Sequence, residues 1–285
     1  MNSLERRLAK LELAVGEENR EMAGRTKEEL AFFVTYGYWP GEHDGRFDAS
    51  DPLHANYLKL LQSHETGELI VMADALLWEQ RDQIWERCGK QTASFEEGPL
   101  LWLTQYTKTE DNHWMHKGTQ PVAPFPKKDY FIFVMEWILK TTRMLIPKSR
   151  EMMTSWLSCA YIAWQCQWYP QISWLIQADK LDKAIQLVNY CRILYRHQEP
   201  WMKQRYPIVT DNRDFLELAN GSWIRGIPYG VNQVRSYHPT GYLMDEAAHL
   251  PEAEECFNIA APVAKQIIGV SSMAPGWFAN MCALG

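Results

Sequence analysis

From residue 130 onward the sequence alternates short apolar runs with longer amphipathic stretches, and this alternation constrains the fold more than any other feature. The runs 143–147, 171–177, 241–244 and 266–271 are too short for helices and rich in Leu, Ile, Trp, Tyr and Val. Helix patterns occupy 130–140, 154–168, 180–196 and 251–261 between them. Strands separated by helices of this length need crossover connections, which set parallel strands side by side and cover both faces. A local pairing is expected at 215–218 and 222–227. They flank Asn220-Gly221, the dipeptide of a type I′ hairpin turn. The expected class is α/β, a mostly parallel sheet flanked by helices.

The first 90 residues have a different texture. Leu4, Leu8, Leu11 and Val15 recur at helical spacing among charges. They fit a helix packed on its own domain or one that binds a partner. Residues 36–51 read as a loop, and 53–61 and 69–85 as helices. Leu69, Met72, Leu76 and Ile84 share a face of the second, and Gly89 is placed as its C-cap. The polar stretch 104–126 reads as an irregular connector. The expected division is a helical N-terminal region at 1–90 and a core at 91–285.

A chain of 285 residues buries a large core without disulfides. None of its six cysteines forms a C-x-x-C pair, so reduced, buried thiols are expected. The eight histidines show no H-x-x-x-H spacing, and no metal site built by protein alone is expected. A net charge of −6 argues against a uniformly basic nucleic-acid coat, but leaves room for a local basic loop. No apolar run approaches the ~18 residues of a membrane span, and residues 4–15 are too charged for a secretory signal. A soluble, intracellular protein is the expectation.

In parallel sheets, ligands bind beyond the carboxyl ends of the strands. This points to the residues after Pro147, Gln177, Met244 and Ser271. The first strand runs into Lys148-Ser149-Arg150-Glu151-Met152-Met153-Thr154-Ser155 and then a helix. A phosphate loop needs converging backbone amides, a cation and a hydroxyl for Mg²⁺. The usual G-x-x-x-x-G-K-[ST] string is absent, and Met153 and Thr154 stand where glycine and lysine would precede the Ser. Read alone, such a loop is usually just a helix cap with solvated charge, and is weak evidence for a nucleotide site. The strand 241–244 ends in Asp245-Glu246, a pair suited to holding Mg²⁺ and taking a proton from water, or simply placed by a helix dipole. The strand 266–271 ends in Ser271-Ser272-Met273, hydroxyls that would sense a terminal phosphate, or an ordinary turn before Pro275-Gly276.

Taken together, IPKSREMMTSW, GYLMDEAAHLPEAE and IIGVSSMAPG resemble the ATPase domain of tailed-bacteriophage large terminases, the motors that package DNA. Some of these carry a deviant Walker A loop of the form K-S-R-x-M-x-x-S-W. The resemblance covers roughly residues 100–285 and implies a P-loop NTPase core of the ASCE, RecA-like kind. On that pattern Lys148 is the phosphate lysine, residues 148–155 are the nucleotide loop, and Ser155 and Asp245 hold Mg²⁺. Glu246 becomes the catalytic carboxylate, and Ser271, Ser272 and Met273 the coupling motif. Arg150 matches an arginine acting within the subunit, and Arg235 resembles one acting on a neighbour. Phe125 and Tyr130 fall where the family contacts adenine, with core packing the alternative for Tyr130.

The resemblance further implies ATP and Mg²⁺ as ligands, and double-stranded DNA, a portal protein and a small terminase subunit as partners. It implies a homo-oligomeric ring, no membrane partner, and a place in the host cytoplasm, transiently at the procapsid portal vertex. The family's C-terminal nuclease domain is expected to be missing here, and with it any DNA cleavage. The alternative is a non-hydrolysing module that binds nucleotide or protein on a degenerate P-loop fold.

Overall fold

The computed structural model describes residues 22, 24–42, 51–110, 120–149 and 152–284. The helix expected at 4–15 and the residues Arg150 and Glu151 lie outside them. The chain forms two compact units, one within residues 12–86 and one from residue 87 onward.

In the smaller unit, α1 (Lys27–Tyr36) opens on a capping box. Thr26 Oγ1 accepts from Glu29 N–H at 3.2 Å, and Glu29 Oε2 accepts from Thr26 N–H at 2.8 Å. It is followed by α2 (His54–Ser63) and α3 (Thr66–Gly89), whose last residues belong to the larger unit. Leu30 and Phe33 of α1 pack with Leu69 and Ala73 of α3, and Met72 and Leu76 border this core. Gly89 is not the left-handed cap expected of it; it closes α3 as a helical residue. Its value is space, because a Cβ there would lie 2.5 Å from Trp168 Cδ1.

The larger unit begins with α4 (Gly98–Tyr106) and a two-stranded antiparallel ribbon, β1 (Lys108–Glu110) and β2 (Val122–Pro124). Part of the expected connector is therefore regular. Strands of three residues are too short to show an alternating pattern. Next come α5 (Asp129–Lys140), β3 (Arg143–Pro147), α6 (Thr154–Trp168), β4 (Ser173–Gln177) and α7 (Leu181–Arg196). They are followed by α8 (Pro200–Arg205), β5 (Ile208–Asp211), β6 (Phe215–Leu218), β7 (Trp223–Ile227) and α9 (Val231–Arg235). The chain continues through β8 (Gly241–Asp245), a 3₁₀ turn (Ala247–His249), α10 (Ala253–Ala260), β9 (Gln266–Ser271) and α11 (Trp277–Leu284).

The seven strands β3–β9 form one sheet in the order β3-β9-β8-β4-β7-β6-β5. The first five are mutually parallel; β6 is antiparallel to β7, and β5 is in turn antiparallel to β6. The central strands β4 and β8 are buried along their whole length. On one face Trp174 of β4 meets α6, its Nε1 donating to Gln165 Oε1 at 2.6 Å. On the other, Leu175, Tyr242, Met244 and Ile267 pack with Val231 of α9, Cys256 of α10 and Phe278 of α11. This period-two division puts helices on both faces of a mostly parallel sheet. With the loop from β3 into α6, and β9 set between β3 and β8, it is the P-loop NTPase fold.

The hairpin β6–β7 forms as expected, but its turn is not type I′. Gly221 N–H donates to Leu218 O at 3.0 Å, and Gly221 (φ 82°) is left-handed while Asn220 is not. This is a three-residue loop with glycine in the left-handed place. Asn220 instead caps neighbouring backbone, its Nδ2 donating to Cys166 O at 2.9 Å. Cys88, Cys159, Cys166, Cys191 and Cys256 are buried free thiols and Cys282 is half-buried. Among the described residues no helix is long and apolar enough to cross a membrane.

Candidate functional site

The chain leaves β3 at Lys148, whose backbone N–H donates to Ser271 O at 2.8 Å, tying the start of the loop to the end of β9. α6 begins after Met153, which is left-handed (φ 52°) and offers no side-chain cap. The first amide bonded within the helix is that of Leu157, on Met153 O at 2.9 Å. The amides of the first turn therefore have no carbonyl of their own helix to serve.

Four side chains from three segments meet at the tips of β3 and β8. Lys148 Nζ lies 3.0 Å from Ser155 Oγ, 3.2 Å from Glu246 Oε1 and 3.7 Å from Asp245 Oδ1. Ser155 Oγ donates to Asp245 Oδ1 at 2.7 Å. The side chains of Lys148 and Asp245 are only 15% and 13% exposed, and that of Glu246 is 29% exposed. Glu246 is itself left-handed (φ 53°), which turns it away from the strand direction. Its Oε2 accepts from Ser271 Oγ at 3.3 Å and from the N–H and Oγ of Ser272, both at 3.4 Å. Ser272 Oγ is also 3.1 Å from His249 Nε2.

The surroundings set the two carboxyl groups apart. Burial raises Asp245 above the ordinary carboxylate value, although Lys148 and the Ser155 hydroxyl oppose it. Burial also pushes Glu246 upward. There, however, the Lys148 charge and the hydrogen bonds from Lys148, Ser272 and Ser271 outweigh it, and Glu246 falls below its usual value. At neutral pH Glu246 is ionised.

The other expected site residues fall in different places. Phe125 is 2% exposed, packed against Phe131 (5.8 Å) and Trp156 (6.2 Å), and belongs to the core rather than to a base-stacking surface. Tyr130 is half-buried, edge-on to Phe131, and its hydroxyl donates to Met152 O at 2.6 Å, so it ties α5 to the loop. Thr154 is buried, Met152 is at the surface, and Ser149 N–H points to Met152 Sδ at 3.4 Å. Met273 is exposed. Arg235 is 57% exposed, 3.6 Å from Glu255. It lines a separate cleft with Tyr229, Gln233 and Glu252, which shares no residue with the Lys148 cleft.

The Lys148 cleft has a volume of about 320 Å³ and is lined also by Asp179, Lys183 and His249, none of them expected as site residues. Asp179 lies two positions beyond β4, in the stretch after Gln177 to which the strand ends point, but no motif there names the residue. Lys183 Nζ is 2.9 Å from Asp179 Oδ2.

No protein-family model matches the chain, and no curated protein does. Among solved structures it is similar to the large terminase ATPase domain of Thermus phage P74-26. That match has 14% identity and a TM-score of 0.43, and covers 62% of this chain and 75% of that one. It is also similar to the large terminase of bacteriophage HK97, with 9% identity and a TM-score of 0.46, over 61% of this chain and 36% of that one. A third is the large terminase of a thermophilic bacteriophage, solved in complex with ADP (14% identity, TM-score 0.39, 51% of this chain and 39% of that one). At these identities the similarity is one of fold alone.

Proposed function

We propose that this chain binds ATP with Mg²⁺ at the Lys148 cluster and hydrolyses it, as the motor domain of a terminase-type DNA-packaging machine. The observation that carries this reading is the meeting of Lys148 with Ser155, Asp245 and Glu246 within 3.0–3.7 Å at the carboxyl edge of a parallel sheet. Triphosphate chemistry needs a mobile cation, a hydroxyl–carboxylate pair for Mg²⁺ and a base, and these are the groups assembled.

The donor set fits the metal. Ser155 Oγ and Asp245 Oδ1 are hard oxygens 2.7 Å apart. Mg²⁺ takes one or two such protein ligands and fills its octahedron with water and phosphate oxygens. Bound there, Mg²⁺ would neutralise charge on the phosphates. The loop, although free of glycine, already holds Met153 in a left-handed conformation, the geometry glycine usually supplies.

Lys148 would exchange its carboxylate partners for phosphate oxygens. The first-turn amides of α6 would receive the phosphate chain. Glu246, ionised and held by Ser271 and Ser272, would take a proton from the water that attacks the terminal phosphorus. The bond to the bridging oxygen breaks, releasing ADP and phosphate. Because both serines bond Glu246 directly, a change at the terminal phosphate would be felt at residues 271–273. This supports their coupling role.

The finer reading follows the resemblance. Arg150 acts within the subunit and Arg235 on the nucleotide of a neighbour in a ring. Double-stranded DNA, a portal protein and a small terminase subunit are the partners. Tyr130 is the aromatic residue left near the loop for adenine.

Calorimetric titration with Mg²⁺ and ATP tests the core claim. The wild-type chain binds, Lys148→Ala weakens binding at least about tenfold, and Glu246→Gln binds normally without turnover. Absence of binding heat in the wild type would leave the chain as a protein-binding module on this fold.

A further inference from the structure

The Lys148 cleft contains a second cation that the reaction above does not use. Lys183 sits in the first turn of α7, and its Nζ is 2.9 Å from Asp179 Oδ2. Both residues follow β4, whose tip lies beside that of β8. The strand tips run β3, β9, β8, β4. Lys148 therefore enters the row from the β3 end and Lys183 from the β4 end, with Glu246 at the β8 tip between them. All three line the same cleft of about 320 Å³.

The Asp179–Lys183 pair is incompletely satisfied. Asp179 Oδ2 is engaged by Lys183, but its Oδ1 is buried with no hydrogen-bond partner among the described residues. Moving Lys183 away would cost Asp179 the pairing it has at Oδ2, so a ligand that draws the lysine off has to offset that loss with a stronger attraction.

We infer that Lys183 is a second phosphate-binding cation, held by Asp179 in the nucleotide-free protein and transferred to the terminal phosphate when a triphosphate binds. This rests on the triphosphate reading given above and adds to it a means of telling ATP from ADP. A phosphate chain received at the first turn of α6 carries its terminal group farthest from β3, toward β8 and β4. A terminal phosphate offers three acceptor oxygens and a charge of about −2, against the single charge of Asp179. ADP lacks that group, and with ADP Lys183 stays on Asp179. The hydrogen bond to Asp179, and then the charges of Asp179, Glu246 and Asp245, raise the Lys183 pKa against the opposing effect of burial. The ammonium already lies in the field of the catalytic carboxylates.

The test is calorimetric titration of the full chain, with Mg²⁺, using a non-hydrolysable ATP analogue and, separately, ADP. Lys183→Met is expected to weaken the analogue about tenfold and ADP less than about twofold. Asp179→Asn, which releases the lysine, is expected to tighten the analogue and leave ADP unchanged. A merely structural ion pair would lower the melting temperature in both variants and leave the ratio of the two affinities alone; that result overturns the inference. Should Lys183→Met fail to fold, Lys183→Gln and Asp179→Asn carry the test. If the wild-type chain binds neither nucleotide, the triphosphate reading falls and this inference with it. If it binds both in a Lys148-dependent manner and the ratio is indifferent to residues 179 and 183, only this inference falls.

Discussion

The two carboxyl groups at the end of β8 are adjacent in sequence, yet Asp245 is raised and Glu246 lowered relative to their ordinary values. Their contributions to folding therefore have opposite signs. Glu246 binds its proton less readily in the folded chain, so it adds stability above its ordinary value, and that stability is lost as the pH falls through its depressed one. Asp245 binds its proton more readily when folded, so its ionisation costs stability, and the cost sets in as the pH rises from its ordinary value through its raised one. Asp245→Asn should accordingly raise the melting temperature of the nucleotide-free chain at pH 7, with a gain that shrinks as the pH is lowered into the carboxylate range. The same variant should bind ATP with Mg²⁺ more weakly, having lost a metal oxygen. Thermal scans at pH 7 and pH 4 decide the matter; a lower melting temperature at pH 7 would mean that Asp245 is a stabilising partner of Lys148 rather than a tolerated burden.

Among the elements, α6 shows how function and local preference part company. Its N-cap position is Met153, left-handed and without a capping side chain, where Ser, Thr, Asp or Asn would be favoured. A non-glycine residue in that region costs about 1–2 kcal/mol, while glycine adds about 0.5–1 kcal/mol of unfolded-state entropy. Met153→Gly is thus expected to leave stability unchanged or raise it by up to about 1.5 kcal/mol, and Met153→Val to lower it, as measured by urea unfolding. The strands were readable because β4 and β8 are buried throughout and carry apolar centres, Trp174-Leu175-Ile176 and Tyr242-Leu243-Met244. The ribbon β1–β2, three residues a side, left no such trace. Lys148, Ser155, Asp245 and Glu246 stood out as candidates because they lie in recognisable strings, and the structure brings their side chains together. Asp179 and Lys183 did not stand out, because only the sheet order brings the β4 tip beside the β8 tip. Phe125 could not be sorted from the adenine segment, since an aromatic residue reads alike whether it faces a ligand or, as here, Phe131 and Trp156.

At the scale of the whole molecule, Arg235 stands at a cleft separate from the Lys148 cleft and is mostly exposed. An arginine that serves a neighbouring subunit leaves nucleotide affinity alone and raises turnover only when subunits meet. Arg235→Ala should therefore keep the wild-type dissociation constant for ATP while abolishing any rise in hydrolysis per subunit with protein concentration. An equal rate at all concentrations in the wild type would remove the trans role. The order of the strands has a further bearing on how such a chain comes into being. Among the described residues β3 pairs with β9 alone, from which it is separated by more than a hundred residues, and β9 is the last of the sheet's strands in the chain. On the ribosome, the lysine loop and the acidic tip exist before the strand that wedges them into one row. The cluster of Lys148, Ser155, Asp245 and Glu246 therefore has its full framework only once Ser271, whose carbonyl holds the Lys148 amide, has emerged.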